Sequence, residues 1–242
     1  MRKLSQNTIV KTIPSHPLLS LNMRNINQLF PGFAAGDFAL LYGSHAVQSL
    51  ATLLSIRAQL PTQLGGLASN VIFIDGANTF RLYQTTRLAR LHQLDPEQAL
   101  NRIYISRAFT AYQMTSLILQ KLKDAVNTCD AKLVIISDIA AMFLDKDVEE
   151  EEARRIYSQI TTRLSNFAKE NQVIVVATYP PHADSPRNIY LKALTSGRAN
   201  VVIALKQTRY EREVILEKHP TFTQGSAELP SEILPLTAFL EA

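Results

Sequence analysis

Short runs of apolar, β-rich residues recur along the chain, separated by segments whose apolar positions have helical spacing. Each run is apolar throughout rather than alternating, which is typical of strands buried on both faces. The pattern therefore predicts a doubly wound α/β fold, with a mainly parallel sheet and helices on both faces. The predicted strands are residues 38–42, 71–75, 103–105, 133–137, 173–177 and 201–205.

The sequence pattern near the two ends of the chain differs from that of the central segments. Residues 201–205 and 214–217 flank a polar stretch, which predicts a strand pair or hairpin that extends the sheet. We expect an N-terminal arm over residues 1–30, a core over residues 31–220, and a C-terminal tail packed on the core over residues 221–242.

Composition narrows the class of protein. A chain of 242 residues with 46% hydrophobic content can bury a substantial core in one domain. Its single cysteine, Cys129, excludes an internal disulfide framework. No apolar run approaches the ~18 residues needed to cross a bilayer, so we expect a soluble intracellular protein without a membrane role. The net charge of +4 permits contact with nucleic acid but is too small to indicate it.

The segment 43–50, Gly-Ser-His-Ala-Val-Gln-Ser-Leu, follows the first predicted strand, where a phosphate-binding loop would lie. Such a loop needs glycines to bring backbone N–H groups to the phosphates, a lysine to reach them and a hydroxyl for Mg²⁺. Only Gly43 and Ser49 remain, and there is no lysine. The chain is therefore predicted to keep the layout of a nucleotide-binding protein without its usual contacts to nucleotide.

Several segments, in this order and spacing, resemble the ATPase core of the RecA/RadA strand-exchange recombinases, in particular the archaeal and eukaryotic branch. They are the strand and loop at 38–50, Val-Ile-Phe-Ile-Asp-Gly-Ala-Asn-Thr-Phe-Arg at 71–81, Arg-Ala-Phe at 107–109, and the apolar strand that ends at Asp138. The resemblance covers roughly residues 30–217 and implies a RecA-like fold.

The family's catalytic side chains do not carry over to this chain. The resemblance puts the loop lysine on Val47 or Ser49, the hydroxyl on Gln48 or Leu50, the catalytic glutamate on Ala77, and the phosphate-sensing Asn-Gln pair on Tyr179-Pro180. Phosphoryl transfer depends on positioning and electrostatic stabilisation of the phosphoryl group. We therefore expect a chain that is not an enzyme, with no catalytic residues and no bound cofactor.

Asp138 matches the aspartate that helps to hold Mg²⁺ in the family. It is equally well explained as a carboxylate at a strand end that caps the following turn. With Gly43 and Ser49, it forms the remnant of a nucleotide site. The five histidines and Cys129 have no metal-binding spacing, so we expect no metal site.

Two regions correspond to the DNA-binding loops of the family. The first, residues 144–152, is strongly acidic and would repel phosphates. Its glutamates either enrich a helix N-terminus or form a docking surface for a basic partner. The second, residues 182–198, is predicted to be a surface loop. Its candidate DNA-binding residues combine cations for phosphates with an aromatic ring for stacking; they are Arg187, Tyr190, Lys192 and Arg198.

The resemblance implies a non-catalytic accessory or mediator of homologous recombination and DNA repair. Such a protein would dock on a RecA/RadA-type recombinase or a paralogue, forming a hetero- or homo-oligomer, with single-stranded DNA as a further candidate partner. Two alternatives stay open: an atypical ATPase completed in trans by a partner subunit, and an ATPase-dead scaffold subunit of a RecA-fold ring.

Overall fold

One mixed sheet of eight strands forms the centre of the protein in the computed structural model, which describes residues 17–207 and 212–229. The strand order is β3-β2-β4-β5-β1-β6-β7-β8. Strands β1 to β6 are parallel, and β7 and β8 add antiparallel pairs at one edge. The strands are β1 Phe38–Tyr42, β2 Asn70–Asp75, β3 Ile103–Arg107, β4 Ala131–Ser137, β5 Ile174–Tyr179, β6 Val201–Gln207, β7 Arg212–Lys218 and β8 Gly225–Glu228.

Helices cover both faces of this sheet. The first four pack on one face and the last four on the other, which gives two separate hydrophobic clusters. The doubly wound RecA-like architecture predicted from the sequence is thus confirmed. The helices are α1 Arg24–Leu29, α2 Ala46–Arg57, α3 Leu82–Leu91, α4 Pro96–Asn101, α5 Ala111–Ser116, α6 Leu122–Cys129, α7 Glu150–Asn171 and α8 Pro186–Arg198.

The continuous apolar runs are explained by burial on both faces. In β1, Ala39 and Leu41 belong to one cluster, whereas Phe38 and Leu40 belong to the other. Because successive side chains of a strand point to opposite faces, a strand covered on both sides needs an apolar residue at every position.

The predicted C-terminal hairpin is confirmed, since β6 and β7 pair in antiparallel register. Its connection, residues 208–211, lies outside the described residues, as do residues 1–16 of the arm and 230–242 of the tail. The described part of the arm packs on the core: Leu19 is fully buried and forms an isolated antiparallel bridge with Phe33. In the tail, β8 extends the sheet beyond β7.

The topology brings four candidate segments to one edge of the sheet. The carboxyl ends of β1, β2, β4 and β5 lie side by side because these strands are parallel neighbours. In open α/β sheets, ligands bind in the crevice outside this edge.

Candidate nucleotide and nucleic-acid site

The turn between β1 and α2 lies where the phosphate-binding loop is expected. Only residues 43–45 separate the strand from the helix, and Ser44 Oγ accepts a hydrogen bond from the Ala46 N–H at 3.0 Å. Gly43 has φ 110°, and a Cβ on it would lie 2.5 Å from the carbonyl oxygen of Leu205. Close packing of this turn against β6 therefore requires a glycine independently of any phosphate.

The side chains that follow the turn belong largely to the core. Val47 is fully buried and Leu50 is almost so, and both lie in the cluster beneath α2. Ser49 and Gln48 are half-buried. Neither Val47 nor Ser49, the two candidate positions for the family's lysine, therefore carries a positive charge. Val47 is also buried in the core.

An open cavity of about 820 Å³ adjoins this turn. It is lined by residues 43–45, Pro181 and residues 205–207. Lys206 brings an ammonium group to it from the end of β6, and Gln207 accepts a hydrogen bond from Ser44 Oγ at 3.1 Å. Sequence reasoning missed Lys206 because it follows the turn by more than 160 residues and is a neighbour only through the β1–β6 pairing.

Asp138 contacts a histidine from the loop that follows the neighbouring strand, β5. The residue follows β4 with φ 49°, and its N–H donates to Thr178 Oγ1 at 2.9 Å. Its carboxylate oxygen Oδ1 lies 2.8 Å from His182 Nε2, and both side chains are largely buried. The His182 ring contacts the edge of Tyr179 at 5.6 Å between centroids. Burial, followed by the nearby Asp138 charge, raises the pKa of Tyr179.

The segment after β2 is held by a buried carboxylate. Asp75 is completely buried and accepts hydrogen bonds from the Thr79 N–H and hydroxyl at 2.8 and 3.1 Å and from the Phe80 N–H at 3.1 Å. Ala77, at the family's glutamate position, is exposed in the turn that these bonds stabilise. The Asp-x-x-x-Thr-Phe pattern is thus explained locally by the shape of the turn.

The second predicted DNA-binding loop is a helix over most of its length, so the loop prediction was wrong for residues 186–198. Ser185 Oγ accepts from the Asn188 N–H at 3.1 Å, and Pro186 occupies the first helical position. Both are standard helix-start signals. The Ser-Pro pair could have revealed this helix from the sequence.

All four predicted DNA-binding residues lie on α8, but they do not form one surface. Arg187 Nη1 donates to the carbonyl oxygens of residues 143, 145 and 148, at 3.4, 2.9 and 3.0 Å. Tyr190 lies under the Arg154 guanidinium, 4.8 Å from ring centroid to Cζ. Lys192 lies over the Tyr42 ring, with Nζ 5.2 Å from its centroid, on the other side of the helix from Tyr190.

Arg198, the fourth candidate, is exposed at the last position of α8. Lys218 in β7 lies at the same end of the helix and donates to the carbonyl oxygens of Ser196 and Gly197 at 3.3 and 3.2 Å. Sequence reasoning missed Lys218. The sequence predicts the hairpin that contains Lys218, but it does not show that β7 lies next to the end of α8.

The acidic segment forms the beginning of α7. Glu149 is the N-cap, and residues 150–152 fill the first turn, where carboxylates interact favourably with the helix dipole. Arg154 pairs with Glu150 at 2.5 Å, and Glu152 accepts from the Tyr112 hydroxyl at 2.8 Å. The helix-start explanation accounts for this run of glutamates, while a docking role for it stays a prediction.

Over residues 17–207 and 212–229, no group of three or more histidine, cysteine or acidic side chains is arranged to hold a metal ion. None of the helices described there is both long and apolar enough to span a bilayer.

The family assignment comes from comparison with known proteins. A model of the Rad51 family matches residues 20–192. The chain belongs to the Rad51 family. The matched region of this Rad51-family protein runs from the arm through β1 to β5 and into α8, so it contains the turn at Gly43, Asp138 and three of the four predicted DNA-binding residues.

Proposed function

We propose that this Rad51-family chain is a non-catalytic accessory protein of recombination and repair, which docks on a recombinase or a paralogue. Membership of the family indicates the role in recombination and repair. The observation that carries the non-catalytic part is the turn at Gly43: no lysine follows it, and Val47 at one candidate lysine position is buried in the core.

Two further features support the loss of ATP turnover. Exposed Ala77 has no group that can orient or deprotonate an attacking water. Asp138 is hydrogen-bonded to His182, which occupies a carboxylate oxygen that Mg²⁺ would otherwise use. Without the loop lysine and the glutamate, positioning and charge stabilisation of the phosphoryl group are both missing.

The free edge of the sheet at β3 is the docking surface that we favour. Among the strands of residues 17–207 and 212–229, β3 pairs with β2 alone, so its outer N–H and C=O groups face no other described strand and suit pairing with a partner strand. Tyr104 and Ile105 on this strand are 43% and 41% exposed, and Phe109 next to it is 70% exposed. An exposed edge with large apolar side chains is typical of a site for strand addition by another chain.

Docking is tested by measuring complex formation with the recombinase of the same genome. The double variant Tyr104→Ser/Ile105→Ser should weaken the complex at least tenfold, because it removes the apolar side chains at the edge. The matched control is Tyr83→Ser/Leu82→Ser, which removes an exposed tyrosine and leucine from α3 instead. Equal affinity of both variants would refute docking through β3.

Nucleotide dependence is tested by calorimetric titration with ATP and Mg²⁺ and by phosphate release, with and without the recombinase. We expect neither binding nor turnover by this chain alone. ATP turnover that appears only in a complex containing a catalytically dead recombinase would overturn the non-catalytic assignment and favour an ATPase completed in trans.

Direct contact with single-stranded DNA is part of the proposal and rests on the exposed cations of α8. Lys192→Gln/Arg198→Gln should lower the affinity for labelled single-stranded DNA several-fold and reduce its salt dependence. The charge-matched control is Lys123→Gln/Arg90→Gln, whose side chains are exposed on other helices. Arg187 stays unchanged because it binds three carbonyl groups. No binding at low salt would refute the contact and leave protein docking alone.

A further inference from the structure

A second cavity lies away from the candidate nucleotide site. The helix α2 starts at the carboxyl edge of β1 and ends at Arg57, and the following segment leads to the amino end of β2. The cavity at this end has a volume of about 430 Å³, which is within the usual range for small-molecule sites. It is lined by Ser20, Asn22, Arg57, Leu60, Gln63, Leu64, Gly65, Leu91, His92 and Gln93.

Arg57 is the charged group of this cavity and is only 2% exposed. Its Nε donates to the carbonyl oxygen of Ser20, and its Nη2 donates to that of Leu64 at 2.6 Å. Over residues 17–207 and 212–229, no carboxylate lies within ion-pair distance of it. The described residues that line the cavity include neither aspartate nor glutamate.

The guanidinium keeps its charge in this setting. Burial lowers the pKa of Arg57 to about 10, which is still well above neutral pH. A buried charge without a counter-charge costs several kcal/mol, and two carbonyl contacts offset only part of that cost. An anion that reached Arg57 would meet a desolvated cation, where charge-assisted hydrogen bonds are strong.

The remaining donors of Arg57 limit the shape of such an anion. Nε and Nη2 already bind carbonyls, whereas Nη1 makes no hydrogen bond with another described residue. A planar carboxylate suits the free end of a planar guanidinium. Burial and the Arg57 charge lower the pKa of His92 to about 4, so the His92 ring stays neutral. Among the described lining residues, Arg57 therefore supplies one positive charge, which balances the charge of one carboxylate.

We propose that this cavity binds a small monocarboxylate with an apolar body, held by Arg57 through its carboxylate. Leu60, Leu64 and Leu91 line the cavity and provide contacts for the hydrocarbon part. Gln63 and Gln93, both exposed, also line the cavity and provide amides. The site is independent of recombinase docking and of the turn at Gly43.

The test is ligand binding to the full chain by calorimetry or ligand-observed NMR. The probes are hexanoate and benzoate, and the matched neutral probes are hexanol and benzyl alcohol. We expect saturable binding of the acids, at least tenfold tighter than that of the alcohols. Arg57→Met should remove this preference, because the cation that pairs with the carboxylate is lost. Equal affinity of acids and alcohols, or no saturable binding of the acids, would overturn the proposal.

A second variant keeps the test valid if Arg57→Met does not fold, since that change also removes two hydrogen bonds to backbone carbonyls. Gln93→Glu adds a negative charge at the cavity without changing side-chain size. It should weaken acid binding about threefold, because the added carboxylate repels the bound one across a partly solvated site. Gln98→Glu makes the same change on exposed α4 and should have no effect. Equal weakening by both variants would contradict binding at Arg57.

Discussion

Acid should destabilise this protein through His92. Burial, followed by the charge of Arg57, lowers the pKa of His92 from 6.5 to about 4. Between pH 6.5 and about pH 4, the unfolded chain therefore binds a proton at His92 that the folded chain does not bind. The free energy of unfolding falls as the pH drops through this interval. The stabilising effect of a neutral His92 is present above pH 6.5 and is lost progressively as the pH falls towards 4.

The expected size follows from the same two values. A pKa difference of about 2.5 units, integrated from pH 7 down to pH 4.5, amounts to about 2 kcal/mol of unfolding free energy after allowance for the partial exposure of the ring. The slope approaches about 1.4 kcal/mol per pH unit near pH 5.5. An effect of this size is a large fraction of the stability of an ordinary domain.

Urea unfolding of the wild type and of His92→Gln, from pH 4.5 to pH 7.5, measures this effect. Glutamine is polar and does not titrate, so carboxylates and the other histidines contribute equally to both proteins. These include His219, whose pKa is also lowered by burial. We expect the difference in unfolding free energy between the two proteins to shift by about 2 kcal/mol over this range. Two curves that run parallel would refute the reasoning.

Three further changes test individual contacts. Gly43→Ala should lower the unfolding free energy by about 2–4 kcal/mol in urea, because its Cβ would lie 2.5 Å from the Leu205 carbonyl at a φ of 110°; an unchanged midpoint would contradict this packing. Tyr157→Phe removes the 2.6 Å hydrogen bond to buried Thr195 and should cost about 1–2 kcal/mol by the same method, whereas no loss would show that the bond adds nothing. Arg187→Gln should speed amide exchange within residues 143–148, whose carbonyls it binds, and equal exchange in both proteins would exclude this role.

Much of the fold was predictable from the sequence. The predicted strand at 38–42 coincides with β1, and the other predicted strands differ from the observed ones only at their ends. Strands buried on both faces leave a clear signal, since each position must be apolar whatever its neighbours are. Residues 186–198 form helix α8 and not the predicted loop, since cations with an interleaved tyrosine are equally compatible with a helix, and Ser185 with Pro186 supplies its start signal.

The candidate site was predictable only in part. The sequence placed Gly43 and Asp138 at strand ends, and parallel pairing brings such ends to one edge. It did not reveal the contact between Asp138 and His182, because residues 44 positions apart become neighbours only when β4 and β5 pair. The position of Lys206 beside Gly43 depends in the same way on the pairing of β1 and β6.

The sequence by itself determined the fold class, the hairpin and the family, because apolar periodicity and motif spacing are local properties of the chain. Tertiary structure decided which side chains meet. It places the candidate residues of α8 on different sides of the helix. It also brings His182 into contact with the Asp138 carboxylate and buries Arg57 beside a cavity. Nothing in the local sequence marks Arg57 as buried, since an arginine at the end of a helix is ordinarily solvated. Its burial depends on tertiary packing, which brings the carbonyls of residues 20 and 64 to its guanidinium.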